Sequence, residues 1–332
     1  MTPGQALEPS LTESDFTLSC LANGIRPDGR SFLTPRPISI SFGEELGNVT
    51  VTIKGTRVST SVRANLIPPR SDRPYEGFLQ ITTDISPMAG VEYDTTGGGA
   101  NSSARAKEVL FDRLIEKAVR RTEAVDREAL CVVAGEQVWN VHLTVHLLAD
   151  TGAALDAAVL ASMLSLRHFR RPDYSIENGN QVRLYSVHER VPVPLAIHHT
   201  PLCVTFALFN QPTSTNSSNS SSNNADAGDD HLIENTDSTA STLSNSSPSS
   251  ATTAVTLLDP TLLEESLANS KLTLVLNAQR EICVLDKSYG SPIQPQILLD
   301  LINVGLKRIT ELTQHLEEAL TKDAQTRVVE VI

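Results

Sequence analysis

Residues 156–169 constrain this chain more than any other stretch. Ala157, Ala158, Val159, Leu160, Ala161, Met163, Leu164 and Leu166 follow one another with almost no polar interruption, and Pro172 ends the run. A helix that is apolar all round must be covered all round, so it belongs between two layers of structure. Just before it, residues 137–148 alternate. Val141, Leu143, Val145 and Leu147 point one way, and His142, Thr144 and His146 point the other. A period of two predicts a half-buried strand, so one of the two layers is a sheet with a solvated face.

The flanking segments extend this pattern. Strands are predicted at 38–42, 48–53, 57–65 and 78–85, with Lys54, Gly55 and Thr56 closing a hairpin. Residues 67–77 contain three prolines and cannot continue a strand. After a loop at 86–103 comes an amphipathic helix marked by Ala106, Val109, Leu110, Leu114, Ala118 and Val119. Strands follow at 181–187, 202–209, 254–258, 272–276 and 282–285, then a long helix at 297–320. Strands then helices, in two rounds, predict an α+β architecture.

The 332 residues suit two domains of about 150 residues each. The reading is an N-terminal arm at 1–25, domains at 26–190 and 191–320, and a C-terminal tail at 321–332. Residues 211–253 are almost entirely Ser, Asn, Thr, Ala and Asp. They lack the apolar content to offset ordering entropy and are predicted to be a disordered insertion between two strands. Such a loop costs little, because closure entropy grows only with the logarithm of length.

The formal net charge of -12 argues against a free-standing nucleic-acid binder. Five of the acids (Asp226, Asp229, Asp230, Glu234 and Asp237) fall in the Ser-rich segment, where there is no Lys or Arg. Cys20, Cys131, Cys203 and Cys283 are far apart, so free thiols are expected rather than a disulfide framework or zinc site. No stretch reads as a signal peptide or reaches the roughly 18 apolar residues of a membrane span, so cytoplasm or nucleus is expected.

Four groups could carry chemistry. Arg26, Arg30, Arg70 and Arg73 sit in proline-stiffened segments that present guanidinium forks suited to phosphate. Arg26 and Arg30 are expected to pair with acids such as Asp28 and Glu44. Arg70 and Arg73 are the candidates for phosphate contact. Gly97, Gly98 and Gly99 precede a helix, as in an anion-binding loop, but no lysine follows at the spacing of a phosphate loop. His142, His146, His188, His198 and His199 are spaced for structural roles rather than one metal. Asp150 and Asp156 bracket the start of the apolar helix and are expected to cap it.

Several strings resemble a known family: Arg26-Pro27-Asp28-Gly29-Arg30, Leu66-Ile67-Pro68-Pro69-Arg70 through Arg73-Pro74, Ile85-Ser86-Pro87-Met88-Ala89, Leu130-Cys131-Val132-Val133-Ala134-Gly135-Glu136 with Val138-Trp139, His168-Phe169-Arg170-Arg171-Pro172-Asp173, and Ile197-His198-His199. Together they resemble the ribonuclease PH-like ring subunits of the exosome. The resemblance implies a ribonuclease PH fold of two ribosomal protein S5 domain 2-like, βαβ-type domains. It implies a hetero-hexameric ring of related subunits, S1/KH cap subunits on one face, and single-stranded RNA passing through the pore to a separate nuclease. It also implies a nuclear, nucleolar and cytoplasmic location, without cofactor or metal.

Active relatives place a Gly-Thr-Arg-type turn ahead of the buried helix to hold the attacking phosphate, and an acid close to the strand at 272. Here the turn reads Thr151 to Leu155, and Asn269, Ser270 and Lys271 precede the strand. Without that cation and acid, transition-state charge is unsupported, and a non-catalytic subunit is expected. The implied RNA contacts are Arg70 and Arg73 in a loop at the pore, with Arg105 and Arg113 on the following helix as weaker candidates. The region of Trp139 is expected to supply a subunit interface. An active phosphate-dependent exoribonuclease and a small-molecule kinase using Gly97–Gly99 are the competing readings.

Overall fold

The computed structural model describes residues 9–90, 93, 102–177, 181–186, 188–210 and 254–327. The predicted insertion at 211–253 and Gly97–Gly99 lie outside the described residues. In chain order the elements are α1 (Leu11–Ala22), β1 (Ile38–Phe42), β2 (Val49–Ile53), β3 (Thr56–Ile67), β4 (Phe78–Ile85), α2 (Ser102–Glu116), β5 (Cys131–Val133), β6 (Gln137–Ala149) and α3 (Ala154–His168). There follow β7 (Arg170–Arg171), β8 (Tyr174–Glu177), β9 (Gln181–Leu184), β10 (Val193–Pro194), β11 (Leu202–Asn210), β12 (Ala254–Leu258), α4 (Leu262–Leu267), β13 (Ser270–Leu276), β14 (Ile282–Gly290) and α5 (Pro295–Thr326).

The first sheet has strand order β1-β2-β3-β6-β4, with β5 on the side of β6. Only β4 and β6 pair in parallel, and α2 lies on the crossover between them. The second sheet runs β12-β11-β13-β14, all antiparallel. As its composition requires, α3 lies between the layers, against β2, β3 and β6 on one side and β11 on the other. All its residues but Asp156 and Arg167 are fully buried; Asp156 keeps part of its surface accessible while its carboxyl is enclosed against β11. The hydroxyls of Ser162 and Ser165 bond back to the carbonyls of Ala158 and Ser162, so they bring no unpaired donor into the core. The core is continuous across both sheets and α5, so the two sheets are cemented by one shared helix.

The termini are tied down more firmly than the sequence suggests. Leu21 of α1 is buried with Ala207, Phe209 and Leu257 of the second sheet, so the arm docks on the second half of the chain. The helix expected to end at 320 continues to Thr326, which shortens the predicted tail. Arg327 donates to the carbonyls of Gly43 and Glu44. At the same corner His168 accepts from the Gly47 amide on Nδ1 (3.0 Å) and faces the Asp323 carboxylate through Nε2 (3.1 Å). Burial holds its pKa below the ordinary histidine value despite Asp323. A neutral imidazole thus joins α3, α5 and the β1–β2 loop.

Candidate nucleic-acid interface

Residues 68–77 join β3 to β4. Pro68 and Pro69 offer no amide donors, so the ladder stops at Ile67 and the chain turns outward. Arg70 and Arg73 face each other across an isolated bridge, with the Arg73 amide 3.2 Å from the Arg70 carbonyl. The structure therefore brings these two candidates together. Arg73 is 64% exposed and touches Glu76 at 3.2 Å. A surface pair of this kind contributes about 0–1 kcal/mol, so phosphate can compete for the guanidinium. Arg70 makes no ion pair with any described residue; its guanidinium lies over the Phe78 ring, 5.4 Å from the centroid. Arg113 is exposed on α2 and Arg105 lies in the first turn of that helix.

Arg26 and Arg30 both pair with acids, Arg30 with the expected Asp28 and Arg26 with a distant one. Arg26 is 1% exposed and grips Glu264 with Nε (2.7 Å) and Nη2 (2.6 Å), while donating to the carbonyls of Leu258 and Asp259. Its partner is therefore 238 residues away rather than Asp28 or Glu44. Arg30 does meet Asp28 (3.0 Å) and also approaches Asp259 (3.5 Å). Arg36, not singled out from sequence, is buried, with Nη2 2.6 Å from Asp259 and 2.8 Å from the Gly152 carbonyl. Two of these three cations are fully enclosed, and they staple the N-terminal segment to the second sheet.

The turn ahead of α3 is organised by distant groups. Thr56 Oγ1 and Arg36 both donate to the Gly152 carbonyl. Gly152 sits at φ +109°, and a Cβ there would lie 2.5 Å from the Pro260 carbonyl oxygen, so only glycine fits. Ala153, in the left-handed region, donates its amide to Glu265 Oε1 at 2.7 Å, and Glu265 Oε2 meets Lys271 at 2.8 Å. The amide just ahead of the helix thus points at the protein's own carboxylate.

Neither aspartate caps the helix. Asp150 accepts from the Gly152 amide and from Tyr93 Oη. Asp156 reaches across to β11 and accepts from Thr205 through its amide (2.9 Å) and hydroxyl (2.6 Å). Burial raises the Asp156 pKa to about 6 and pushes the neighbouring Cys203 thiol well up.

The histidines are dispersed. His142 bonds Thr82, His146 bonds Asp84, and His198 lies 3.9 Å from Asp126. Among the described residues no cluster of His, Cys, Asp and Glu could hold a metal ion. Trp139 is 1% exposed inside the core, so it cannot anchor a partner subunit.

Two family models match. The 3′ exoribonuclease family, domain 1, covers residues 34–172, and domain 2 of that family covers 253–308. The chain belongs to the 3′ exoribonuclease family.

Within it, the chain is 35% identical to exosome complex component RRP45 of Saccharomyces cerevisiae over 322 residues, covering 97% of this chain and 94% of that protein. It is 33% identical to the Schizosaccharomyces pombe component, again covering 97% and 94%. With the human RRP45 component it shares 33% over 315 residues, 95% of this chain and 61% of the longer human protein. In fold it is similar to a chain of the Archaeoglobus fulgidus exosome solved with RNA bound to the active site. That match has a TM-score of 0.64 and 22% identity, covering 91% of this chain and 96% of that one. The boundary between the 3′ exoribonuclease family domains falls after α3, so the helix between the layers belongs by sequence to the first domain and by packing to both.

Proposed function

We propose that this chain is a non-catalytic ring subunit of the RNA exosome that scaffolds the ring and guides single-stranded RNA towards a separate nuclease. Its relatives carry the name of exosome component RRP45 over nearly the whole chain, which supports membership of the exosome beside other subunits. In this reading its neighbours are other ribonuclease PH-like subunits, with S1/KH caps on one face. The reading places it in the nucleus, nucleolus and cytoplasm, where RNA is processed and decayed.

The observation that carries the non-catalytic reading is the contact between Ala153 and Glu265. The turn at 151–155 holds no arginine, and the Ala153 amide ahead of the helix already bonds a carboxylate. The Ala153 amide is taken by Glu265, and the nearby cations Lys271 and Arg36 are themselves paired with Glu265 and Asp259, so an attacking phosphate would find no free donor there among the described residues. RNA guidance rests on Arg70 and Arg73, whose guanidinium groups suit phosphate contact.

Two measurements test this. Incubation of the purified chain with single-stranded RNA and inorganic phosphate should release no nucleoside diphosphates; release would refute the non-catalytic part. Arg70→Ala and Arg73→Ala should each lower the slope of log affinity against log salt by about 0.7, the single-strand value per phosphate contact. An unchanged slope would refute the guiding role of that arginine.

A further inference from the structure

A cleft of about 360 Å³ opens along the outer edge of β4, beside the loop that carries Arg70 and Arg73. Arg70, Phe78, Gln80, Glu116, Arg120 and Asn140 line it. Phe78 pairs in register with Asn140 of β6, and Gln80 with His142, so the polar face of the first sheet forms one wall. The other groups come from the loop, from Glu116 at the end of α2, and from Arg120 in the π-helical turn at Lys117–Arg121 that follows it.

Three groups of this cleft have polar atoms without a protein partner among the described residues. One face of the Arg70 guanidinium rests on Phe78, while the residue itself is exposed and none of its N–H groups has a partner among the described residues. Asn140 Oδ1 is buried with no hydrogen-bond partner. Glu116 uses Oε1 to hold Arg120 at 2.8 Å, which leaves Oε2 as a second open acceptor and cancels the charge of Arg120. A fitting ligand brings a flat π face for Arg70, an anion for its N–H fork, and N–H donors for the two acceptors. Guanidinium planes stack on unpaired bases as aromatic rings do. A buried acceptor left unpaired is costly, so a donor that reaches it is favoured.

We propose that this cleft binds one unpaired nucleotide of the RNA strand and prefers bases that carry an exocyclic amine. This rests on the guiding role above and adds a base preference to it. The base stacks on Arg70, its amine donates to Asn140 Oδ1 or Glu116 Oε2, and its phosphate bonds the edge of the Arg70 fork. Cytosine brings an amine donor to these acceptors, whereas uracil presents a carbonyl, a second acceptor, at the same ring position.

The test compares fluorescence anisotropy of labelled oligocytidylate and oligouridylate of equal length on the full chain across a salt series. Oligocytidylate should bind tighter by on the order of fivefold to tenfold, the range of one hydrogen bond to an otherwise unpaired buried group. Asn140→Leu should erase that preference while the salt slope stays as in the parent, because no phosphate contact is removed. Arg70→Lys, which keeps the charge and loses the flat face, should weaken both oligomers with the slope retained. Equal binding of the two oligomers by the parent chain would overturn the cleft assignment while leaving the guiding role standing. Absence of any salt-dependent binding would overturn both.

Discussion

Asp156→Asn separates the cost of a buried charge from the value of the hydrogen bonds around it. The Asp156 carboxyl titrates near 3.8 when exposed and at about 6 in the fold, because burial disfavours its charged form. The folded state therefore holds the proton more tightly than the unfolded chain. The stability from this linkage is fully present below pH 3.8 and is lost as pH rises through about 6. At about 1.36 kcal/mol per pKa unit, integration between pH 4.5 and 7.5 gives roughly 2 kcal/mol lost by the parent over that span. Asparagine cannot titrate, yet its carboxamide can accept from the Thr205 amide and reorganise with the Thr205 hydroxyl. The variant's stability relative to the parent should therefore improve by about 2 kcal/mol from pH 4.5 to 7.5, whatever its absolute level. Urea unfolding of both proteins at the two pH values measures this double difference, in which every other titrating group cancels. A relative stability that does not change with pH would refute the buried-charge account of Asp156.

Glu264→Ala leaves Arg26 enclosed without its carboxylate; a loss of about 3–5 kcal/mol in chemical unfolding is expected, and a loss below 1 kcal/mol would show that the pair is dispensable. Gly152→Ala forces a side chain into a left-handed turn against the Pro260 carbonyl; the melting temperature should drop by several degrees, since strain of this kind costs about 1–3 kcal/mol. His168 prefers its neutral form in the fold, so its contribution is present above pH 6.5 and decays as pH falls below that value. His168→Gln, which keeps a donor and an acceptor, should flatten the stability profile below pH 6.5, and an unaltered profile would exclude His168 as the titrating group.

The main elements were legible because their signals are local. Strict alternation marked β6, an apolar run with no polar face marked α3, and prolines stopped β3 where the loop begins. The short pieces β5, β7, β8 and β10 and the helix α4 were missed, because segments of two to six residues carry no measurable periodicity. The C-terminal end of α5 was also missed: past Leu320 the helix is polar, and its continuation is held by the contacts of Asp323 and Arg327.

The candidate site divided in the same way. Proline spacing pointed to Arg70 and Arg73 as an outward pair, and the loop does present them together. The same composition at Arg26 and Arg30 led to partners nearby in sequence, whereas Arg26 closes on an acid 238 residues away. Asp150 and Asp156 were assigned to capping by position, yet a carboxylate bonds whatever donor the packing brings, here Gly152, Tyr93 and Thr205.

The amino-acid order alone determined that an apolar helix must lie between two layers, since hydrophobic burial depends on composition and period. It also determined that no arginine stands in the turn at 151–155. Only the tertiary structure decided that Glu265 fills that turn, that Arg26 and Arg36 are staples, and that Trp139 is core. Charge pairing and enclosure depend on distances in space between residues far apart along the chain, and no local pattern encodes them.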